Sequence, residues 1–436
     1  MDLVLFLGGV ICLHYHKSAW TFSILIGLCS SYYQMGSNLS NFIVLHNVSD
    51  SGMLLLFYML FYGILNKQRY YLPISSSQLY RLLFLFGLFL ILAVLFDYAQ
   101  GSTILSIVQC YRHWLLLFLA IPLMRLYPIT VFEESLKQIL YISVFATILI
   151  LADHYLGTHI LHEEAGLFIS KSGVSYNRGA IPTTYCIFYI FLLLTDYFKD
   201  LDPKWKYVFI GLFFLSITAS MIRSQLFSVL LGVIWILYTT NKIRLSNLGT
   251  MLIGIVLIAG IVLSDSGLRE RMSLGWSEVQ SISSASSSKN DEGNLTFRLD
   301  LLKERYDYVA GQWNRALLGI GSIREQDFPT TFKVGLYNPK MGRPSQLDTS
   351  DIAWAILVLR LGILGTLILM VIWLKLIFLS RHCTNSLGKA VYVYLCISFL
   401  LSFCGPVFSQ GSYWLFMIIL LMISYHREYN EESFWW

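Results

Sequence analysis

Six arginines stand where a charge is either expensive or turned toward a membrane: Arg112, Arg178, Arg223, Arg298, Arg305 and Arg360. Arg112 and Arg360 lie well inside apolar runs, Arg223 interrupts another, and Arg178 closes a polar loop just before the next. Ionisable residues within membrane spans are costly and are functional candidates by default. Arginine stays charged and grips phosphate oxygens with two parallel hydrogen bonds. A cluster of arginines at membrane depth therefore suits a pyrophosphate attached to a lipid. Plainer roles are open to some of them. Arg178 and Arg305 also read as solvated or interfacial charges. Arg112 and Arg360 also read as partners of a carboxylate such as Asp97, or as snorkelling side chains. Arg223 has no acid near it in sequence, which makes it the strongest candidate.

Acid/base groups are fewer. Asp348-Thr349-Ser350-Asp351 stands directly before a long apolar run. Asp351 there is a candidate helix N-cap or first-turn carboxylate, and equally a base for a sugar hydroxyl at the membrane surface. If the helix starts early enough to include both, Asp348 and Asp351 share one face. His154, His159 and His162 flank another polar segment, but their setting does not argue for a metal. The seven cysteines, Cys12, Cys29, Cys110, Cys186, Cys383, Cys396 and Cys404, fall in or beside apolar segments and read as packing residues.

These residues are carried by a chain with a membrane composition. Its 436 residues are 56% hydrophobic and 13% charged, against about 25% charged in a globular domain. A span needs about 20 mostly apolar residues, and 79–97, 103–124 and 352–379 meet that test. The net charge of +5 is scattered, with no basic cluster of the kind nucleic acid requires. Residues 1–13 are apolar but lack the basic start of a signal peptide, and read as a tilted or partial first helix. Spans are expected near 2–13, 19–34, 51–65, 79–98, 103–124, 137–156, 181–198, 206–220, 222–240, 247–264, 351–380, 389–405 and 411–426. The fold class is thus an all-α polytopic bundle of about 12–13 transmembrane helices. It divides into helices over 1–264, one large loop over 265–350, and further helices over 351–436.

Short basic loops alternate along the chain. Those at Lys67–Arg69, Arg125–Lys137, Lys199–Lys206, Lys242–Arg244 and Arg381–Lys389 are placed in the cytoplasm, with the C-terminal His426 and Arg427. The segments 157–180 and 265–350 are then outside. Both ends of 206–240 prefer the cytoplasm, and one straight helix of that length would be about 50 Å long. Two helices meeting at Ser220–Arg223 are expected. In the large loop, Ser281–Ser288 reads as flexible. Leu295, Leu299, Leu302, Tyr306, Val309 and Trp313 then fall on one helical face, with Asn294 as its cap. Arg298 and Arg305 lie on one edge of that face, and Asp300, Glu304 and Asp307 point away. Such a helix lies on the membrane surface or the bundle and offers it an arginine edge.

Several motifs then resemble, in order and spacing, the bacterial O-antigen polymerase (Wzy) and O-antigen ligase family. Thr218-Ala219-Ser220-Met221-Ile222-Arg223 is similar to that family's small-residue-Ser-x-x-Arg signature. Arg298, Trp313 and Leu318-Gly319-Ile320-Gly321 resemble its arginine, amphipathic helix and Gly-x-Gly succession. Asp351 followed by Leu361-Gly362-Ile363-Leu364-Gly365 resembles the polar residue and Gly-Ile-x-Gly helix after the loop, and Asn177-Arg178-Gly179 adds a weaker match. The likeness covers roughly 170–410. Two departures matter. Ligases of the family carry a histidine late in the large loop, whereas no histidine lies between His162 and His382 here. Arg360 stands where many relatives have an acidic residue.

The resemblance implies a bundle like the C-type glycosyltransferases in the bacterial inner membrane, with the active site on the periplasmic side. It implies a polymerase that joins undecaprenyl-pyrophosphate-linked oligosaccharides into a surface polysaccharide, with membrane lipid and a chain-length regulator protein as partners and no nucleic acid. Asp351 or Asp348 would receive the acceptor's proton. Arg223 and Arg298, with Arg112, Arg178, Arg305 and Arg360, would hold the leaving pyrophosphate. No metal or other cofactor is expected, because the arginines supply the positive charge. A ligase acting on the lipid A core and a transporter or flippase for lipid-linked sugars are the alternatives.

Overall fold

The computed structural model describes residues 2–29, 48–66, 77–156, 167–169, 175–177, 183–219, 222–240, 295–325, 327–328, 332–334, 337–338, 343–344, 347, 352–405, 407–409 and 411–429. The expected span at 247–264, the serine-rich 281–288, Asn294, His159, His162, Arg178, Asp348 and Asp351 lie outside these residues. Among the described residues the chain is almost entirely helical, with two short antiparallel strand pairs, Leu167–Ile169 with Ser175–Asn177 and Tyr337–Asn338 with Arg343–Pro344. Four helical segments are long and apolar enough to cross a membrane: Leu79–Ala99, Ile104–Leu126, Ile129–Ala152 and Ala353–Arg381. Shorter apolar helices accompany them.

The first helices are α1 (Asp2–His14), α2 (Ser18–Cys29) and α3 (Val48–Leu65), which pack on one another. Then follow α4 (Ser77–Ala99), α5 (Ile104–Tyr111), α6 (Leu115–Leu126) and α7 (Ile129–Leu156). Next come α8 (Thr183–Leu194), α9 (Pro203–Ala219) and α10 (Arg223–Thr239). The expected division of 206–240 into two helices is present. Pro203 opens α9 at a position where its missing N–H costs nothing. In the large loop lie α11 (Leu295–Ala310) and α12 (Trp313–Leu318), and the chain closes with α13 (Ala353–Arg381), α14 (Ser386–Leu401) and α15 (Gly411–Tyr429).

Two interruptions shape the bundle. The stretch read as one span over 103–124 is broken. Thr103 caps α5, α5 stops at Tyr111, and a 3-10 turn over Arg112–Trp114 precedes α6. The hydropathy of a broken span equals that of a straight one, so composition could not reveal the break. The second interruption is inside α13, where Gly362 has φ 70° and ψ −177°. A kink there releases the carbonyls of Leu359 and Arg360 from the helical ladder. They accept the amides of Ile320 at 2.8 Å and Gly321 at 3.3 Å, so the loop after α12 is pinned into the kink.

The amphipathic helix forms, with its buried stripe shifted around the helix from the expected one. Leu301, Arg305 and Val309 are the buried stripe, while Leu299 and Tyr306 are exposed. Trp313, 78% exposed, is not on that helix at all, because α11 ends at Ala310. Leu299, Leu302 and Tyr306 instead line an apolar groove with Trp354, Phe399 and Phe403. The stripe holding the arginines faces α13, against which α11 packs.

Candidate functional site

Where α5 and the 3-10 turn after it, the kinked α13, the loop after α12 and Ser409 meet, they line a half-open cavity of about 430 Å³. Its polar lining comes from Ser106 and Gln109 of α5, His113 of the 3-10 turn, Ser322, Arg324 and Glu325 of the loop, Arg360 of α13, and Ser409. His113 belongs to the 3-10 turn, four residues after Gln109. An irregular backbone at membrane depth is tolerated where it lines a cavity or is buried in protein.

The loop Gly319–Glu325 is held from both sides. Asp97, buried near the end of α4, accepts the Ser322 amide at 2.7 Å and the Tyr111 hydroxyl at 3.1 Å. Arg360 donates from Nη1 to the carbonyls of Gly321 at 2.9 Å and Ile323 at 2.6 Å. Arg324 donates from Nε to Ser106 Oγ at 2.8 Å and is itself exposed in the cavity. Glu325 accepts the amide of Leu347 at 2.7 Å, the residue that precedes Asp348 in sequence.

Of the arginines singled out in the sequence, Arg112, Arg305 and Arg360 have described side chains whose partners are clear. Arg360 lines the cavity. Arg112 points elsewhere and pairs with Asp50, Nε to Oδ1 at 3.1 Å, so its carboxylate partner is Asp50 and not Asp97. Arg305 is 1% exposed, paired with Glu304 at 2.9 Å and stacked 4.1 Å from the Phe332 ring. Glu304 in turn accepts the amides of Lys333 at 2.6 Å and Val334 at 3.0 Å. Arg305 is therefore neither a solvated charge nor an open ligand. It is a keystone of the loop's own small core, with Val309, Phe328 and Phe332. Burial pulls its pKa down to about 10, against the pull of Glu304 and Glu325. Replacing Arg305 by alanine should leave Glu304 short of its counter-charge and cost about 3 kcal/mol. A fall of several degrees in the Tm of detergent-solubilised protein is the expected readout, and an unchanged Tm would contradict it.

Arg298 lies on the same inward face of α11, half-buried, with an Nε that is buried and makes no hydrogen bond to a described residue. Arg223 opens α10, with Ile222 as the N-cap. The N-cap of α13 is Ile352, and the Ala353 amide is taken by the carbonyls of Ser402 at 3.1 Å and Gly405 at 3.0 Å. Asp351 is thus not the N-cap, and the helix begins too late to carry Asp348 and Asp351 on one face. Residues that sequence reasoning missed are Arg324, Glu325, Gln109 and His113. Arg324 stands three residues after the Gly-x-Gly already singled out, which is the one signal that pointed to it.

The fold is a helical one with four segments long and apolar enough to cross a membrane, and it holds a partly polar, arginine-bearing cavity beside a 3-10 turn and a kinked helix. No family model matches the chain, and no curated protein is significantly similar to it.

Proposed function

We propose that the protein is a polysaccharide polymerase that joins lipid-pyrophosphate-linked oligosaccharides on the outer side of a bacterial inner membrane. The observation that carries this reading is the cavity itself: two arginines, Arg324 and Arg360, share it with a carboxylate and a histidine. The positive charge suits a pyrophosphate, which leaves as the glycosidic bond forms. The acceptor hydroxyl attacks the anomeric carbon of the donor sugar, and the bond from that carbon to the phosphate oxygen breaks. The hydroxyl proton passes to a carboxylate, Asp351 or Asp348, and the electron pair leaves on the lipid pyrophosphate. The resemblance of the motifs at Arg223, Arg298, Gly319-Ile320-Gly321 and Gly362-Ile363-Leu364-Gly365 supports the same reading.

Deletion in the parent bacterium, followed by gel analysis of the surface glycan, tests it. A single capped repeat unit is expected. Loss of all attached glycan with lipid-linked polymer accumulating would point to a ligase instead. In the complemented strain, Arg223→Ala and Arg298→Ala should each abolish polymer at normal membrane abundance, and Lys should restore only part, because it lacks the planar fork. Full polymer from either Ala variant removes that arginine from the site.

One observation favours a second reading. Broken helices around a polar chamber are also how transporters hold substrates within the membrane, and both α5–α6 and α13 are interrupted. A flippase predicts repeat units trapped on the cytoplasmic leaflet in the deletion strain, whereas a polymerase predicts them on the outer leaflet.

A further inference from the structure

We propose that Asp97 is a positioning residue that acts through the Gly319–Glu325 loop to hold Arg324 against an anion in the cavity. This rests on the reading of that cavity as a pyrophosphate site. The backbone of three consecutive residues is gripped by a pair of opposite charges. The carboxylate takes a donor, the Ser322 N–H, and the guanidinium of Arg360 takes the acceptors on either side, the carbonyls of Gly321 and Ile323. Gly321 makes the grip possible, since a Cβ there would stand 2.1 Å from the Asp97 carboxylate. Arg324 is the next residue, and its Nε hydrogen bond to Ser106 fixes the side chain at the cavity wall.

The arrangement divides labour between the two cavity arginines. Arg360 spends Nη1 on backbone carbonyls, while Arg324, exposed in the cavity, is the one that meets the ligand. A buried carboxylate within a span is expensive, and packing alone does not call for it: an asparagine oxygen also accepts from Ser322 and Tyr111. What asparagine lacks is the charge that answers Arg360 across the loop. Asp97 thereby sets where Arg324 sits without touching substrate.

The test uses the full chain in lipid nanodiscs and inorganic pyrophosphate as probe, with Kd read by calorimetry. Arg324→Ala should raise Kd by about tenfold or more, the range of a lost charge-assisted hydrogen bond. Asp97→Asn should raise it by about tenfold too. The double variant should bind no more weakly than Arg324→Ala alone, because Asp97 acts only through that side chain. Effects that multiply, or an unchanged Kd in Asp97→Asn, overturn the positioning role and leave the pyrophosphate site standing. An unchanged Kd in Arg324→Ala overturns both. Should Asp97→Asn fail to fold, Tyr111→Phe removes the donor that holds the Asp97 carboxylate oxygen in line with the Ser322 amide. It should weaken binding on the wild-type background and not on Arg324→Ala, and equal weakening on both overturns the proposal.

Discussion

Gly362→Ala is expected to leave little correctly folded protein in the membrane. The residue sits at φ 70° and ψ −177°, a region of backbone space that side chains other than glycine enter only at about 1–3 kcal/mol. Its Cβ would also stand 2.6 Å from the Gly319 amide nitrogen and 2.8 Å from the Leu317 carbonyl group. Those are backbone atoms, so no rotamer change relieves the overlap. The loop must back out of the kink, and the amides of Ile320 and Gly321 lose the carbonyls of Leu359 and Arg360. Strain and two lost hydrogen bonds together come to on the order of 3–5 kcal/mol, a large part of a typical domain's stability. Size-exclusion profile and Tm of solubilised protein measure it. Gly211→Ala is the control, since nothing lies within 4 Å of a Cβ there. It should be neutral or slightly stabilising in its helix, and a Gly362→Ala protein as stable as that control would show the kink to be dispensable.

The second large effect is on turnover. Asp351→Asn should cut polymer formation from purified lipid-linked repeat units by about 10²–10⁴-fold, the range for a lost general base. The competing structural account, an aspartate kept to cap α13, has lost its footing: the cap is Ile352, and the first amide of the helix is taken by Ser402 and Gly405. Asp348→Asn should matter less. Protein level and Tm, followed in parallel, separate a chemical defect from a folding one. Turnover near wild type in Asp351→Asn would move the search to Glu325 and His113, which line the cavity.

Much of the scaffold was legible in the sequence because hydropathy is an additive signal. The apolar runs at 79–98 and 351–380, and the paired helices of 206–240, follow from composition and from the basic residues flanking them. The breaks were not legible, since Arg112–Trp114 and Gly362 interrupt hydrogen bonding without changing mean hydropathy. The inward face of α11 was read only in part: Val309 was placed inside, but Arg305 also took the interior, where Glu304 supplies its counter-charge and Phe332 its stacking partner, contacts that apolar periodicity does not count. The candidate site was half visible. Arg360 and the two glycine motifs were singled out, and the structure brings them together. Arg324, His113 and Asp97's role as an anchor depend on contacts between residues more than two hundred positions apart, which no local pattern encodes.

α15 is buried along its whole length from Gly411 to Ser424, wedged against α6, α7, α13 and α14. Near its end Arg427 reaches Glu133 at 2.6 Å, and Glu428 holds the turn at Thr384 and Asn385. A ribosome delivers this helix after every element it is packed against. At the usual pace of synthesis the earlier helices wait on the order of tens of seconds in the bilayer. Tyr185, Phe188 and Trp373 meet their ring partners Phe416 and Trp414 only once α15 has been made. A helix buried over fourteen successive residues is thus also the last of the described elements to be synthesised, so its partners must exchange other neighbours for it late in assembly.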